Sequence, residues 1–169
     1  SAWLDFWSVA ASTCKRERAD LWVVCNGDLV DGNHHGTGQI FTVNEVTQER
    51  MATAVLDDVA QQAAHLFVVR GTGVHVGTSG CWDEKIAEDL GATPDPALIV
   101  DGKPAAWSWW HLPLEVRGVK FDIAHHTTRG RREWTRGNAA DRMVSQAIMS
   151  YSRQSRKPPD VLVRSHVHN

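Results

Sequence analysis

An α/β fold with parallel strands is what this sequence predicts, on three observations. Four short β-rich runs each end abruptly in polar residues: Leu21 to Cys25 before Asn26, Gly27 and Asp28; Leu66 to Arg70 before Gly71 and Thr72; Val119 to Ala124 before His125 and His126; and Asp160 to Arg164 before Ser165, His166 and His168. Helical spacing of apolar residues fills the interval between the first two runs, which is the strand–helix–strand unit that sets consecutive strands parallel. Side chains able to bind a ligand gather where strands end, and in open α/β sheets the crevice outside the carboxyl ends of the strands is where ligands bind.

The totals suit one soluble globular domain spanning residues 1–169. Of the 169 residues 42% are hydrophobic and 22% charged, enough for a real core. A formal net charge of -2 provides no general attraction to nucleic acid or to a membrane surface, so any such contact must come from a local patch. Cys14, Cys25 and Cys81 show no metal-type spacing and read as reduced thiols, Cys25 in the core, which favours a cytoplasmic setting. No apolar run approaches the roughly 18 residues of a membrane span, and nothing resembles a signal peptide.

In chain order, Trp3, Phe6, Trp7, Ala10 and Cys14 predict an amphipathic helix from Ala2 to about Arg18, lying on a sheet. The first strand, Leu21 to Cys25, reads as fully buried. A second helix, capped by Asn44 or Thr47, presents the stripe Met51, Ala54, Val55, Val59 and Ala63, and leads into the strand Leu66 to Arg70. Trp82, Ile86 and Leu90 define a third helix stopped by Gly91. The runs at 97–100, 106–112 and 113–116 predict short antiparallel strands ahead of the strand Val119 to Ala124. A last helix begins at Asn138 with Asp141 near its positive end; its inward residues are Met143, Val144, Ala147, Ile148 and Tyr151. Residues 153–159 connect it to the final strand.

The chemistry concentrates on carboxylate, imidazole and guanidinium groups. Asp28 follows a glycine at a strand tip, where a missing side chain lets backbone and ligand come close, although Gly and Asp are also ordinary turn residues; Asp31 has the weaker claim. His166 and His168, two apart, share a side if extended, and imidazole with carboxylate suits manganese, iron, nickel or zinc. His125 and His126 point to opposite faces if extended, so one of them is the expected ligand. His75, in a glycine-rich loop after a strand, is a candidate proton donor to a leaving group. His35, beside His34, is either a substrate contact or part of a solvated turn, whereas His65 and His111 read as structural. Arg129, Arg131, Arg132 and Arg136 crowd one loop. Their guanidinium forks suit phosphate oxygens, and Trp134 beside them offers a base a stacking face, the alternative being a solvated charge run.

Together the segments NGDLVDG, VVRGTGVHVG, AHH and SHVH, in that order over nearly the whole chain, resemble the calcineurin-like metallophosphoesterases, especially the compact forms encoded by bacteriophages. The resemblance implies a four-layer α/β/β/α sandwich with two divalent transition ions at the carboxyl edge, manganese first and zinc, iron or nickel as alternatives. It implies Asp28 as their bridge, His125 or His126 with His166 on one ion, and His168 on the other. Two differences stand out. The family's Gly-Asn-His motif is replaced here by Gly71, Thr72, Gly73, Val74 and His75, and its initial Asp-x-His motif has no counterpart ahead of Asp28. The chain therefore reads as the middle of such a domain, without its first strand and its final strands.

The function these features predict is metal-dependent hydrolysis of a phosphodiester or phosphomonoester, nucleic acid or nucleotide included, by a metal-activated hydroxide. His75 would protonate the leaving oxygen, and Arg129, Arg131, Arg132 and His35 would hold substrate. For a phage-encoded protein the compartment would be the host cytoplasm. The alternative is a non-catalytic phosphate- or nucleic-acid-binding protein with a degenerate metal site.

Overall fold

A computed structural model of the chain describes residues 1–33, 40–127 and 138–166. It is a mixed α/β structure of helices and several small sheets, in two compact units, Ser1–Trp109 and Trp110–Asn169. No helix among the described residues is long and apolar enough to cross a membrane.

The first unit opens with α1, Ala2–Glu17, capped by the Ser1 hydroxyl and ended by Arg18 in the left-handed region at φ 53. Strand β1, Trp22–Asn26, is followed by α2, Glu45–Gln62, whose free amino-terminal amides are met by the Asn44 side chain accepting from Thr47 N at 3.0 Å. Strand β2, His65–Val69, pairs parallel with β1 from Trp22 opposite His65 to Asn26 opposite Val69. That register puts Asp28 and Gly71, each two residues past the pairing, level with one another. The short helix α3, Gly73–Val76, and a 3-10 turn, Thr78–Gly80, lead to α4, Cys81–Asp89. Strands β3, Ile99–Val100, and β4, Lys103–Pro104, form an antiparallel pair, and β5, Ser108–Trp109, joins the free side of β2. Val23, Val59, Leu66, Val68, Ala87 and Ala92 form one apolar cluster; Val30, Leu56, Val76 and Ile86 form another, which anchors the loops beyond the strand tips.

Three expectations for this unit are corrected. Strand β1 is not fully buried, since Val23 alone of its five residues is. The buried residues of α2 are Glu49, Leu56 and Val59, while Met51 and Val55 face solvent. The helix is turned so that Ala52, Leu56 and Val59 make its inner stripe, and Glu49 sits beneath it accepting from the Thr53 hydroxyl at 3.2 Å. The segment around Trp109 does not pair antiparallel: β5 runs parallel to β2.

In the second unit β6, Leu112–Val116, and β7, Val119–Ala124, make an antiparallel hairpin. Its two-residue turn, Arg117 and Gly118, has φ 51 and 82, the doubly left-handed geometry whose twist matches a hairpin. Helix α5, Asn138–Arg153, separates β7 from β8, Val161–Arg164, which pairs parallel with β7. The ends of β7 and β8 therefore share an edge, extended by Ser165 N donating to the His125 carbonyl at 3.0 Å. Of the residues expected inward on α5, Met143, Ala147 and Tyr151 are partly buried, but Val144 and Ile148 are exposed.

Candidate functional site

In the first unit the centre is Asp28. Gly27 and Asp28 both take positive φ, 77 and 54, so the chain turns sharply off β1 and returns the carboxylate toward the tip of β2. There Thr72 donates to it twice, from N to Oδ1 at 2.6 Å and from Oγ1 to Oδ1 at 3.0 Å. Gly71 makes this approach possible, because a Cβ at that position would stand 2.1 Å from Asp28 Oδ1. The Thr72 hydroxyl also stands 3.3 Å from Oδ2, so both oxygens of the Asp28 carboxylate are oriented by Thr72.

His75 reaches the same carboxylate from α3. Its Nε2 stands 4.0 Å from Asp28 Oδ2, and its Nδ1 is 2.8 Å from the Asp31 carbonyl. A carbonyl only accepts, so Nδ1 carries the hydrogen in this contact and Nε2 is the ring nitrogen turned toward Asp28. Asp31 also places a carboxylate oxygen 3.7 Å from Nδ1. It orients the imidazole as well as turning the loop. The close passage of the two segments depends on Gly32, whose Cβ would meet the His75 carbonyl at 2.4 Å.

Beneath these groups lies Asp83, in the first turn of α4 and fully buried. Its Oδ2 accepts from Gly71 N at 2.7 Å and its Oδ1 from Leu29 N at 3.2 Å, tying the loops after β2 and β1 together. Burial pushes its carboxyl up to about 6; the nearby Asp28 charge adds to this, and the backbone donors only partly offset it. The same burial, with the charge of Asp83, lifts the Cys25 thiol to about 11, so Cys25 is an inert packed thiol. The next residue of α4, Glu84, accepts from Trp107 N at 2.6 Å and Ser108 N at 2.9 Å and pairs with Arg70 Nη2 at 3.0 Å. Two adjacent acids of one helix thereby fix the ends of β1, β2 and β5.

In the second unit three imidazoles meet at the shared edge of β7 and β8. The ring centroids of His125 and His126 are 5.6 Å apart, those of His125 and His166 5.7 Å, and those of His126 and His166 6.1 Å, the last pair nearly parallel. His125 is buried, His126 and His166 exposed. Consecutive residues of an extended strand point to opposite faces, yet both His125 and His126 join the cluster, because the chain has left β7 at Ala124. His166 adopts φ 69, so its ring turns back toward the other two.

Under the cluster on β7 sits Asp122, also buried. It is met by His111 Nε2 at 2.9 Å, Arg164 Nη2 at 2.6 Å and the Tyr151 hydroxyl at 3.1 Å. Burial opposes its charge, but the bonds from His111 and Arg164 prevail and hold its carboxyl down at about 2.

Of the residues singled out from sequence, Asp28, Asp31 and His75 come together in the first unit, and His125, His126 and His166 in the second. His35, Arg129, Arg131, Arg132, Arg136, Trp134 and His168 lie outside the described residues. His111 lies just ahead of β6 rather than within a strand, and His65 is the first residue of β2. Sequence reasoning missed Asp83, Asp122 and Arg164. For Asp122 the signal is visible: an acid interrupting an apolar strand, which must find a partner if buried. Comparison with protein-family models, with curated proteins and with solved structures found no match.

Proposed function

We propose that this chain is a metal-dependent phosphoesterase of the calcineurin-like type, with the layered sandwich and the pair of transition ions that the resemblance implies. The observation that carries the reading is the trio His125, His126 and His166 at the ends of two parallel strands. His125 and His166 each offer a ring nitrogen within 4.8 Å of the other, with His126 packed beside them; imidazole ligands fit a borderline ion such as manganese, iron, nickel or zinc better than magnesium. By the resemblance Asp28 would supply a carboxylate ligand, and Thr72 holds its orientation.

A bound divalent cation supplies the positive charge that polarises a phosphoryl oxygen and acidifies water. The protein's own groups do the rest. Thr72 and Gly71 hold the Asp28 carboxylate in one rotamer. Asp83 holds the loops that carry both. His75, with Nδ1–H fixed on the Asp31 carbonyl, presents Nε2 as the atom that would hand a proton to a departing alkoxide. His75→Ala is therefore expected to lower turnover of esters with poor leaving groups by about 10²–10⁴-fold, and that of an activated aryl ester far less. Equal losses on both would assign His75 a structural role.

Ion titration tests the ligand set. Manganese binding followed by calorimetry should weaken by about 10-fold or more in each of Asp28→Asn and His166→Gln, since each removes a ligand. Unchanged affinity in both variants would remove the metal reading. One observation favours the second reading, a phosphate binder with a degenerate metal site: the Thr72 hydroxyl, 3.0 Å from one Asp28 oxygen and 3.3 Å from the other, is a donor where a metal ligand would be useful. Phosphate-ester binding without ion uptake would select it.

A further inference from the structure

Alongside the imidazole trio the second unit contains a cleft of about 790 Å³ between α5 and the face of its sheet. His126 belongs to both, so the cleft opens onto the trio. Three guanidinium groups line it, Arg142, Arg156 and Arg164, together with His111. Asp122 is the one carboxylate among the lining residues, and its charge is already met by Arg164 and His111. The wall therefore presents an excess of positive charge. Arg164 is not a loose surface arginine: Nη1 donates to the Asp122 carbonyl at 2.7 Å and to the Val163 carbonyl at 2.8 Å, so its guanidinium is built into the floor. Arg156 is stacked over the Tyr151 ring at 5.1 Å, which pre-orients a second fork and lowers the entropy lost on binding an anion. Gln146, Ser150 and Gln154 add neutral donors along the α5 side.

We propose that this cleft binds a phosphate group of the substrate other than the one hydrolysed, through Arg142 and Arg156 above the Asp122–Arg164 floor. The substrate class is thus a compound with at least two phosphates separated by a sugar or longer spacer, either a small nucleotide or a nucleic-acid strand. This rests on the phosphoesterase reading for the word substrate. The anion site itself needs no metal.

The experiment uses the whole chain in excess chelator, with thymidine 3′,5′-bisphosphate and pentathymidylate as probes, and compares wild type with Arg142→Gln, Arg156→Gln and the double variant. Both arginines stand on exposed positions of α5 and the turn after it, so the variants should fold. Each single change is expected to weaken binding about 5- to 10-fold by loss of a charge-assisted contact, and the double change should flatten the salt dependence. Tighter capture of pentathymidylate assigns the phosphate to a strand and tighter capture of the bisphosphate to a small nucleotide; either supports the site. Affinities that ignore both arginines overturn it, even if metal-dependent turnover is intact. Arginine-dependent binding in chelator, with no hydrolysis when manganese, zinc, iron or nickel replaces the chelator, would instead sink the phosphoesterase reading and leave the cleft.

Discussion

Asp83 and Asp122 are both buried carboxylates next to strand ends, and they are stabilised in opposite ways. Asp83, in the first unit, meets only backbone amides on its two oxygens, and its carboxyl rises to about 6. Asp122, in the second, meets a guanidinium, an imidazole and a phenol, and falls to about 2. The difference is one of partner charge more than of depth. Backbone dipoles fix the position of a carboxylate but do not fully compensate its desolvation, whereas a cation also fixes its charge. Asp83 is suited to splice two loops together under Asp28, and Asp122 to hold Arg164 and His111 in the lining of the α5 cleft.

The contrast can be broken by substitution. Asp122→Ala should have the largest effect, a loss of about 3–5 kcal/mol in urea unfolding, because Arg164 is left as a mostly buried, uncompensated charge. Asp83→Ala should cost roughly 2–4 kcal/mol, through the buried amides of Gly71 and Leu29 left without acceptors. If Asp83→Ala were harmless, the splice between the two loops would not be real.

A pH series sharpens the same comparison. Asp83 has a folded pKa above the ordinary value of 3.8, so the native chain binds the extra proton between these two values. Its contribution is fully present below about pH 4 and lost as pH rises through 6. Stability of wild type relative to Asp83→Asn should therefore grow as pH is lowered from 7 to 4. Asp122 runs the other way: with its folded pKa depressed to about 2, its contribution is present above pH 4 and lost as pH falls through 2. Wild type relative to Asp122→Asn should weaken over that range. Parallel pH profiles for the two differences would refute the contrast. The smallest expected effect is that of Tyr151→Phe, about 1 kcal/mol for one hydrogen bond, with His111 and Arg164 still in place.

The strands and their polar ends were legible because a β-branched run that stops at Gly or His is a local signal, and so was the end of α4 at Gly91, which takes φ 64. The inner face of α2 was not. Met51 and Val55 offered a stripe as apolar as Ala52, Leu56 and Val59, and only packing into the two apolar clusters chooses between them. The parallel addition of β5 was equally hidden, since two residues carry no period and their partner lies some forty positions back. Among the candidate site residues, Asp28, His75, His125, His126 and His166 were visible as reactive types at strand or loop ends. Asp83 and Arg164 were not, because each acquires its role from a partner distant in sequence, Gly71 and Asp122 respectively.

Metal-dependent hydrolysis of a phosphate ester is tested by turnover of bis(p-nitrophenyl) phosphate by the whole chain, with manganese and then with excess chelator. Hydrolysis is expected to appear with manganese, to disappear with chelator, and to fall by about 10²-fold or more in His166→Gln and Asp28→Asn, the residues proposed as ligands of the ion. Turnover that survives chelator, or its complete absence with manganese, zinc, iron and nickel alike in a chain that binds those ions, would contradict it.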